Sequence, residues 1–145
     1  MYKARWAVAT LGVVLLDLAL APSRQGLAGS AGAFDGTWTA EVDCSNVGDA
    51  RGYNWRFPVQ VTSGALTGSY HSPTNEAMGN LSGRIRPDGE ALLTLVGRTG
   101  PVDVSVGHVR PGTPFRYTAN VRFDAHSGFG KRNELRPCTL TFTRG

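Results

Sequence analysis

From residue 34 onward, apolar side chains recur at every second position, in short runs that turn residues interrupt. The clearest run covers residues 114–124. Its apolar members are Phe115, Tyr117, Ala119, Val121 and Phe123, and the polar residues between them are Arg116, Thr118, Asn120 and Arg122. A period of two is typical of a half-buried strand, because successive side chains of a strand point to opposite faces of the sheet. No run after residue 33 has the helical period, so the pattern predicts an all-β domain.

Eight runs of this kind can be placed along the chain. The predicted strands cover residues 34–44, 53–62, 65–71, 81–85, 90–98, 114–124, 129–134 and 138–142. Several connections are short and rich in turn residues, such as Ser63-Gly64, Pro87-Asp88-Gly89 and Ser127-Gly128. Pro58 lacks a backbone donor, so it predicts a bulge or a free edge inside the second strand. The alternation of Val102, Val104 and Val106 suggests one additional short strand.

The two cysteines suggest how the sheet ends meet. Cys44 closes the first predicted strand and Cys138 opens the last one. If these strands pair antiparallel with the cysteines opposite each other, the same register places Trp38 opposite Arg144. Eight hairpin-linked strands fit an up-and-down antiparallel barrel in which the first and last strands pair. An open two-sheet sandwich is the alternative that the sequence leaves open.

The ends of the domain resemble the structural signature of the calycin superfamily, which includes lipocalins, avidins and barrel inhibitors of metalloproteases. The resemblance lies in Phe34-Asp35-Gly36-Thr37-Trp38 and in Arg144. It implies that a tryptophan of the first strand packs under a basic residue of the last strand and closes one end of the barrel. It implies a fold and no activity.

Two further resemblances are weaker in what they imply. Tyr70 and Ser72 match residue types on the third strand of avidins, but Ala40 stands where avidins have asparagine, so biotin binding is not expected. Over residues 34–145 the chain is similar to a family of uncharacterised exported proteobacterial proteins. That resemblance rests on segments such as 83–89 and 134–138, and it implies no mechanism.

The N-terminus predicts export. Lys3 and Arg5 precede a mostly apolar stretch, residues 7–21, and the small residues Ala31-Gly32-Ala33 fit a cleavage site. We therefore expect a signal peptide over residues 1–33 and a single domain over residues 34–145, located in the periplasm or secreted. A disulfide between Cys44 and Cys138 suits that oxidising compartment. An uncleaved N-terminal membrane helix is the alternative.

Charge and motifs argue against several function classes. The chain carries a formal net charge of +4, but residues 34–145 hold twelve basic and ten acidic side chains, which does not favour a nucleic-acid partner. His71, His108 and His126 lack metal-ligand spacing, and no nucleophile motif occurs. We expect no catalytic residues, no metal and no cofactor.

Two functional hypotheses remain. In the first, the protein binds a small apolar or aromatic molecule in the barrel mouth. The candidate lining residues are Trp55, Phe57, Tyr70, Tyr117 and Phe123. In the second, it is a protein-interaction module, for example an inhibitor of an exported hydrolase. It would act through segment 99–113, through His126 and Phe129 in the 125–130 tip, or through the residues just after the signal, which we expect to be flexible. A filled interior without a cavity is the alternative to the first hypothesis. In either case we expect a monomer without membrane contact after signal removal.

Overall fold

A computed structural model of the protein describes residues 32–145. Its strands are β1 (Gly36–Cys44), β2 (Tyr53–Thr62), β3 (Ala65–His71), β4 (Met78–Ile85), β5 (Glu90–Arg98), β6 (Pro114–Phe123), β7 (Ser127–Arg132) and β8 (Cys138–Arg144). Each strand pairs antiparallel with the next, and β8 pairs with β1, so the sheet closes into a barrel. The predicted eight-stranded up-and-down barrel is confirmed, and the open sandwich is excluded.

The register between the terminal strands is the one that the cysteines predict. Cys44 lies opposite Cys138 and Trp38 lies opposite Arg144. The two cysteines form a disulfide with an S–S distance of 2.04 Å. The predicted signal peptide, except its last two residues, lies outside the described residues. Within residues 32–145, no helix has the length and apolar character needed to cross a membrane.

Aromatic side chains fill the end of the barrel where β1 begins, which we call the closed end. Trp38 is fully buried, and its Nε1 donates to the carbonyl of Phe34 at 2.8 Å. The Phe123 ring meets the Trp38 ring edge-on at 5.5 Å, and the Phe142 ring lies 4.9 Å from that of Phe123. The Arg144 guanidinium lies 5.4 Å from the centre of the Trp38 ring. This end is therefore packed.

One strand ladder stops short of the other end of the barrel, which we call the mouth. The ladder between β2 and β3 runs from Thr62 opposite Ala65 to Val59 opposite Gly68, and no further pair follows within the described strands. Pro58, the next residue of β2, offers no N–H to continue the ladder. The prediction of a free edge at Pro58 is confirmed, because the first six residues of β2 pair with β1 alone.

Segment 99–113 connects β5 to β6 at the mouth and holds no strand. It forms two short 3-10 turns, Val102–Val104 and Val106–His108. The additional strand suggested by the valine alternation is therefore wrong. The physical reason is local, since Gly107 adopts a φ of 74° and the Ser105 amide bonds back to the Val102 carbonyl at 3.2 Å. This backbone conformation and this hydrogen bond give turns in place of an extended strand, and the segment lies over the mouth.

Candidate functional site

The mouth of the barrel holds a cavity of about 540 Å³, which lies within the size range of small-molecule sites. Four connecting segments surround it, namely residues 45–52, 72–77, 99–113 and 133–137. Below the cavity, the barrel is filled by buried side chains. The interior is thus hollow at the mouth and packed elsewhere, a combination that the sequence alone left open.

Aromatic rings form the wall and floor of the cavity. The Trp55 ring stacks on the Tyr70 ring at 4.5 Å with an interplanar angle of 13°. The Tyr53 ring lies 5.0 Å from Trp55, and the Phe115 ring lies 6.3 Å from it. All four side chains line the cavity. The stacked pair bridges the part of the barrel where β2 and β3 no longer pair, so it closes the side of the mouth that the strands leave open.

Two inward-facing glycines make room for these rings. A Cβ on Gly79 would lie 2.8 Å from an atom of the Trp55 ring, and a Cβ on Gly97 would lie 2.8 Å from the Phe115 ring. These two positions are neighbours across the β4–β5 ladder. At Gly97 a Cβ would also overlap the Met78 carbonyl oxygen, so no side chain fits there without a shift of the backbone. The absence of side chains at both positions therefore leaves room for the two rings.

The segments around the mouth are held together by polar contacts. Arg136 is 3% exposed, and its guanidinium donates to the carbonyls of Val104 at 2.8 Å, Arg51 at 2.9 Å and Ala50 at 3.2 Å. Arg51 also forms an ion pair with Asp103. Because these contacts join segments 45–52 and 99–113 to the start of β8, the rim of the cavity has a defined shape.

The polar groups of the cavity are hydroxyls, amides and guanidinium groups. Among the described lining residues there are three arginines, Arg51, Arg132 and Arg136, and no Asp, Glu, His or Cys. Burial raises the pKa of the Tyr53 hydroxyl, although the nearby Arg132 and Arg136 charges partly oppose that shift. Burial likewise raises the pKa of Tyr117, just below the cavity. Both phenols are therefore neutral donors at neutral pH.

The candidate lining residues occupy three levels of the barrel. Trp55 and Tyr70 line the cavity. Phe57 and Tyr117 lie beneath it, with the Phe57 ring 6.1 Å from Tyr70 and the Tyr117 ring stacked 6.0 Å from Phe115. Phe123 lies at the closed end against Trp38, far from the mouth along β6. The alternation along each strand predicts that all five side chains point inward, but it does not predict how far each one lies from the mouth.

The candidate interaction sites lie on different parts of the barrel. His126 is exposed in the turn between β6 and β7, where its amide donates to Asp124 at 2.8 Å. Phe129 is 52% exposed and belongs to β7, so the structure places it on the outer face of a strand and not on a loop. Segment 99–113 lies at the mouth, so the structure does not bring these candidates together on one surface.

Most of the lining was absent from the sequence-based set, including three residues of inward parity on their strands, Tyr53, Phe115 and Arg132. Tyr53 and Phe115 share inward parity with Trp55 and Tyr117, and they extend the same faces to the mouth. Arg132 shares parity with the buried glycines Gly128 and Gly130. An arginine in the inward series of a strand was the available signal, and it pointed to a charge inside the barrel.

The comparisons with known proteins give no identity. No protein-family model, no curated protein and no solved structure matches the chain. The fold itself, a small antiparallel barrel of eight strands with Trp38 beneath Arg144, is compatible with the calycin architecture. In residues 32–145, no group of three or more His, Cys, Asp or Glu side chains is arranged to hold a metal ion.

Proposed function

We propose that the protein is an exported, non-catalytic binding protein that holds a small apolar or aromatic molecule in the mouth of its barrel. The observation that carries the proposal is the cavity of about 540 Å³ with four aromatic side chains on its wall and floor. Aromatic faces bind planar ligands by stacking, and a concave apolar site with a few polar groups is typical of small-molecule binding.

The chemistry of the lining supports binding without catalysis. Ser72, Thr99 and Thr113 bring hydroxyls to the cavity, but a hydroxyl needs an adjacent base to become a nucleophile. The described lining offers no imidazole or carboxylate for that role. Arginine and neutral tyrosine side chains bind and orient a ligand, and neither acts as a general base at neutral pH.

The disulfide supports location in the periplasm or outside the cell, because such bonds persist in oxidising compartments. Both cysteines are buried, at 1% and 3% exposed, which suits a structural bond. Export through the predicted signal peptide and membership of the calycin superfamily are parts of this proposal. The proposed form is a monomer.

Fluorescence titration with N-phenyl-1-naphthylamine, a neutral aromatic probe that brightens in apolar surroundings, tests the binding function. We expect the oxidised protein to bind this probe, and we expect Trp55→Leu to weaken binding about tenfold through loss of a stacking surface. The matched control is Phe129→Ala, which removes an exposed aromatic ring from the outer face of β7. Thermal unfolding of each variant shows that the barrel is folded.

Two results would contradict the binding function. One is that the wild-type protein binds neither this neutral probe nor an anionic aromatic probe, and the other is equal weakening by Trp55→Leu and Phe129→Ala. Native mass spectrometry of protein purified from its host provides an independent comparison. A retained small molecule supports the binding barrel, whereas a co-purifying exported enzyme with no such adduct replaces it with the protein-interaction hypothesis.

A further inference from the structure

Three polar atoms distinguish the mouth from the rest of the molecule. They are the Tyr117 hydroxyl, Arg132 Nε and Arg136 Nε, which are buried without a hydrogen bond of good geometry among residues 32–145. The Tyr117 hydroxyl lies close to that of Tyr53, so the two arginine nitrogens are the atoms without any nearby acceptor. Every other fully buried side-chain nitrogen or oxygen in that range has a partner. Buried donors without partners are unusual, because each one has lost its bonds to water. Their concentration around one cavity points to a missing acceptor.

Arg132 is the least satisfied of these groups. It is the last residue of β7 and points inward, and its guanidinium lies 4.0 Å from the centre of the Tyr117 ring. Within the described part of the chain, its side chain forms no hydrogen bond and no ion pair. The Glu134 carboxylate accepts bonds from the Thr118 amide at 2.9 Å and hydroxyl at 2.7 Å, which lower the pKa of Glu134, and the charge of Arg132 adds to that shift without forming an ion pair. The N–H groups of the Arg132 guanidinium are therefore available to a ligand.

Arg136 has a different role, and it is buried, whereas Arg132 is half-buried. Three carbonyls accept hydrogen bonds from its guanidinium, and these contacts join the segments of the rim. Its positive charge nevertheless has no carboxylate partner among the described residues. Two cations thus lie beside a cavity without any acidic lining residue. A charge withdrawn from water is costly unless an opposite charge accompanies it.

The aromatic wall indicates the chemistry of the part of the ligand that does not contact the arginines. Three exposed apolar side chains, Val106, Val109 and Leu135, also line the cavity at its rim. The aromatic wall suits a planar apolar body, and the guanidinium of Arg132 suits a group with two or more anionic oxygens, since it presents paired donors. The two requirements together exclude a simple inorganic anion, which would leave the aromatic wall uncovered.

We propose that the ligand is an aromatic anion whose carboxylate or similar oxyanion group pairs with Arg132 while its ring system stacks on Trp55 and Phe115. This inference rests on the proposed binding function and specifies its ligand class. The Tyr53 hydroxyl supplies a further donor at the same site, because it lines the cavity and its phenol stays protonated. A site without a ligand charge would not need Arg132 inside the barrel.

A matched pair of probes tests the inference. 8-Anilinonaphthalene-1-sulfonate and N-phenyl-1-naphthylamine share one ring framework, and only the first carries an anionic group. We expect the wild-type protein to bind the sulfonate at least tenfold more tightly than the neutral probe, and Arg132→Gln to remove most of that preference, a change of about 10- to 100-fold. The affinity of Arg132→Gln for the neutral probe should stay within about threefold of wild type.

The control is Arg116→Gln, which removes the same charge from the outer face of β6, beside the cavity-lining Phe115. It should leave both affinities unchanged, because Arg116 is exposed and points away from the cavity. Arg132→Lys keeps the charge but not the paired donors, so its preference for the sulfonate should be intermediate. Retained binding of the neutral probe by Arg132→Gln also shows that the variant is folded.

The possible results distinguish a failure of this inference from a failure of the proposed binding function. If neither probe binds, both proposals fail. If the neutral probe binds and the sulfonate binds no better, or if Arg132→Gln leaves the preference intact, the binding barrel stands and the anionic ligand is rejected. In that case Arg132 serves only as a stacking partner of Tyr117.

Discussion

Arg144 covers the closed end of the barrel and joins segments that are distant in the sequence. Its guanidinium donates to the carbonyls of Ala33 at 3.2 Å, Ala125 at 3.0 Å and Asp35. The cation also covers the fully buried Trp38 ring. The pairing of Arg144 with Trp38 could be predicted, since it follows from the register of the cysteines. The three carbonyls could not, because they approach Arg144 only after both chain ends have folded.

Arg144→Lys tests the value of that closure. A lysine ammonium keeps the charge, but it cannot span three carbonyls with fixed planar donors. We expect the free energy of unfolding to fall by about 1–2 kcal/mol, measured by equilibrium urea denaturation. Arg116→Lys changes an exposed arginine on the outer face and should shift stability by less than about 0.5 kcal/mol. Equal stability of the Arg144→Lys variant and the wild type would show that charge alone is enough.

At the scale of the elements, strands and mouth differ in how far the sequence predicts them. Most strand bounds follow from alternation and turn residues, which act locally. The exceptions are β4, which begins at Met78 and not at residue 81, and β7, which covers Ser127–Arg132 and so includes the predicted turn at Ser127-Gly128.

The cavity depends instead on where a ladder ends, as at Pro58, and on small inward residues such as Gly79 and Gly97, which admit rings from other strands. It also depends on Arg136 holding three segments together. All of these features depend on contacts between elements, and the periodicity of a single strand cannot predict such contacts.

Replacing Arg136 should loosen the mouth while leaving the barrel closed. In Arg136→Met, the carbonyls of Ala50, Arg51 and Val104 lose their donor. We expect the variant to lose about 1–3 kcal/mol of stability, because buried acceptors are left without partners. We also expect faster amide hydrogen exchange at Arg51, whose N–H donates to the Asp103 carbonyl at 2.8 Å across the two segments.

The control for this prediction is Arg110→Met, in the same 99–113 segment. Arg110 is exposed, and its side chain forms no hydrogen bond within the described residues, so exchange at Arg51 should be unchanged. If Arg136→Met and Arg110→Met give the same exchange rates, the rim is held by the backbone bonds and the Arg51–Asp103 pair. Exchange in β4 and β5 should be unaffected in both variants.

At the scale of the whole molecule, two independent features close the barrel between its ends. The ladder between β1 and β8 extends from Trp38 opposite Arg144 to Cys44 opposite Cys138. The disulfide then fixes the mouth end of that ladder, across a sequence separation of 94 residues. Closure of the barrel could be predicted here, because a disulfide between Cys44 and Cys138 sets the register of every other residue pair between β1 and β8.

Removing the disulfide should therefore weaken the molecule without opening it. In Cys44→Ala/Cys138→Ala, the unfolded chain regains the freedom that a cross-link over so long a loop removes, about 4–5 kcal/mol in the chain-entropy model. We expect a correspondingly lower denaturation midpoint. At low temperature, affinity for the neutral naphthylamine probe should stay within about threefold of wild type, because neither cysteine lines the cavity. Loss of both stability and binding would mean that the ladder cannot keep β1 and β8 together alone, and that oxidation is a condition for forming the site.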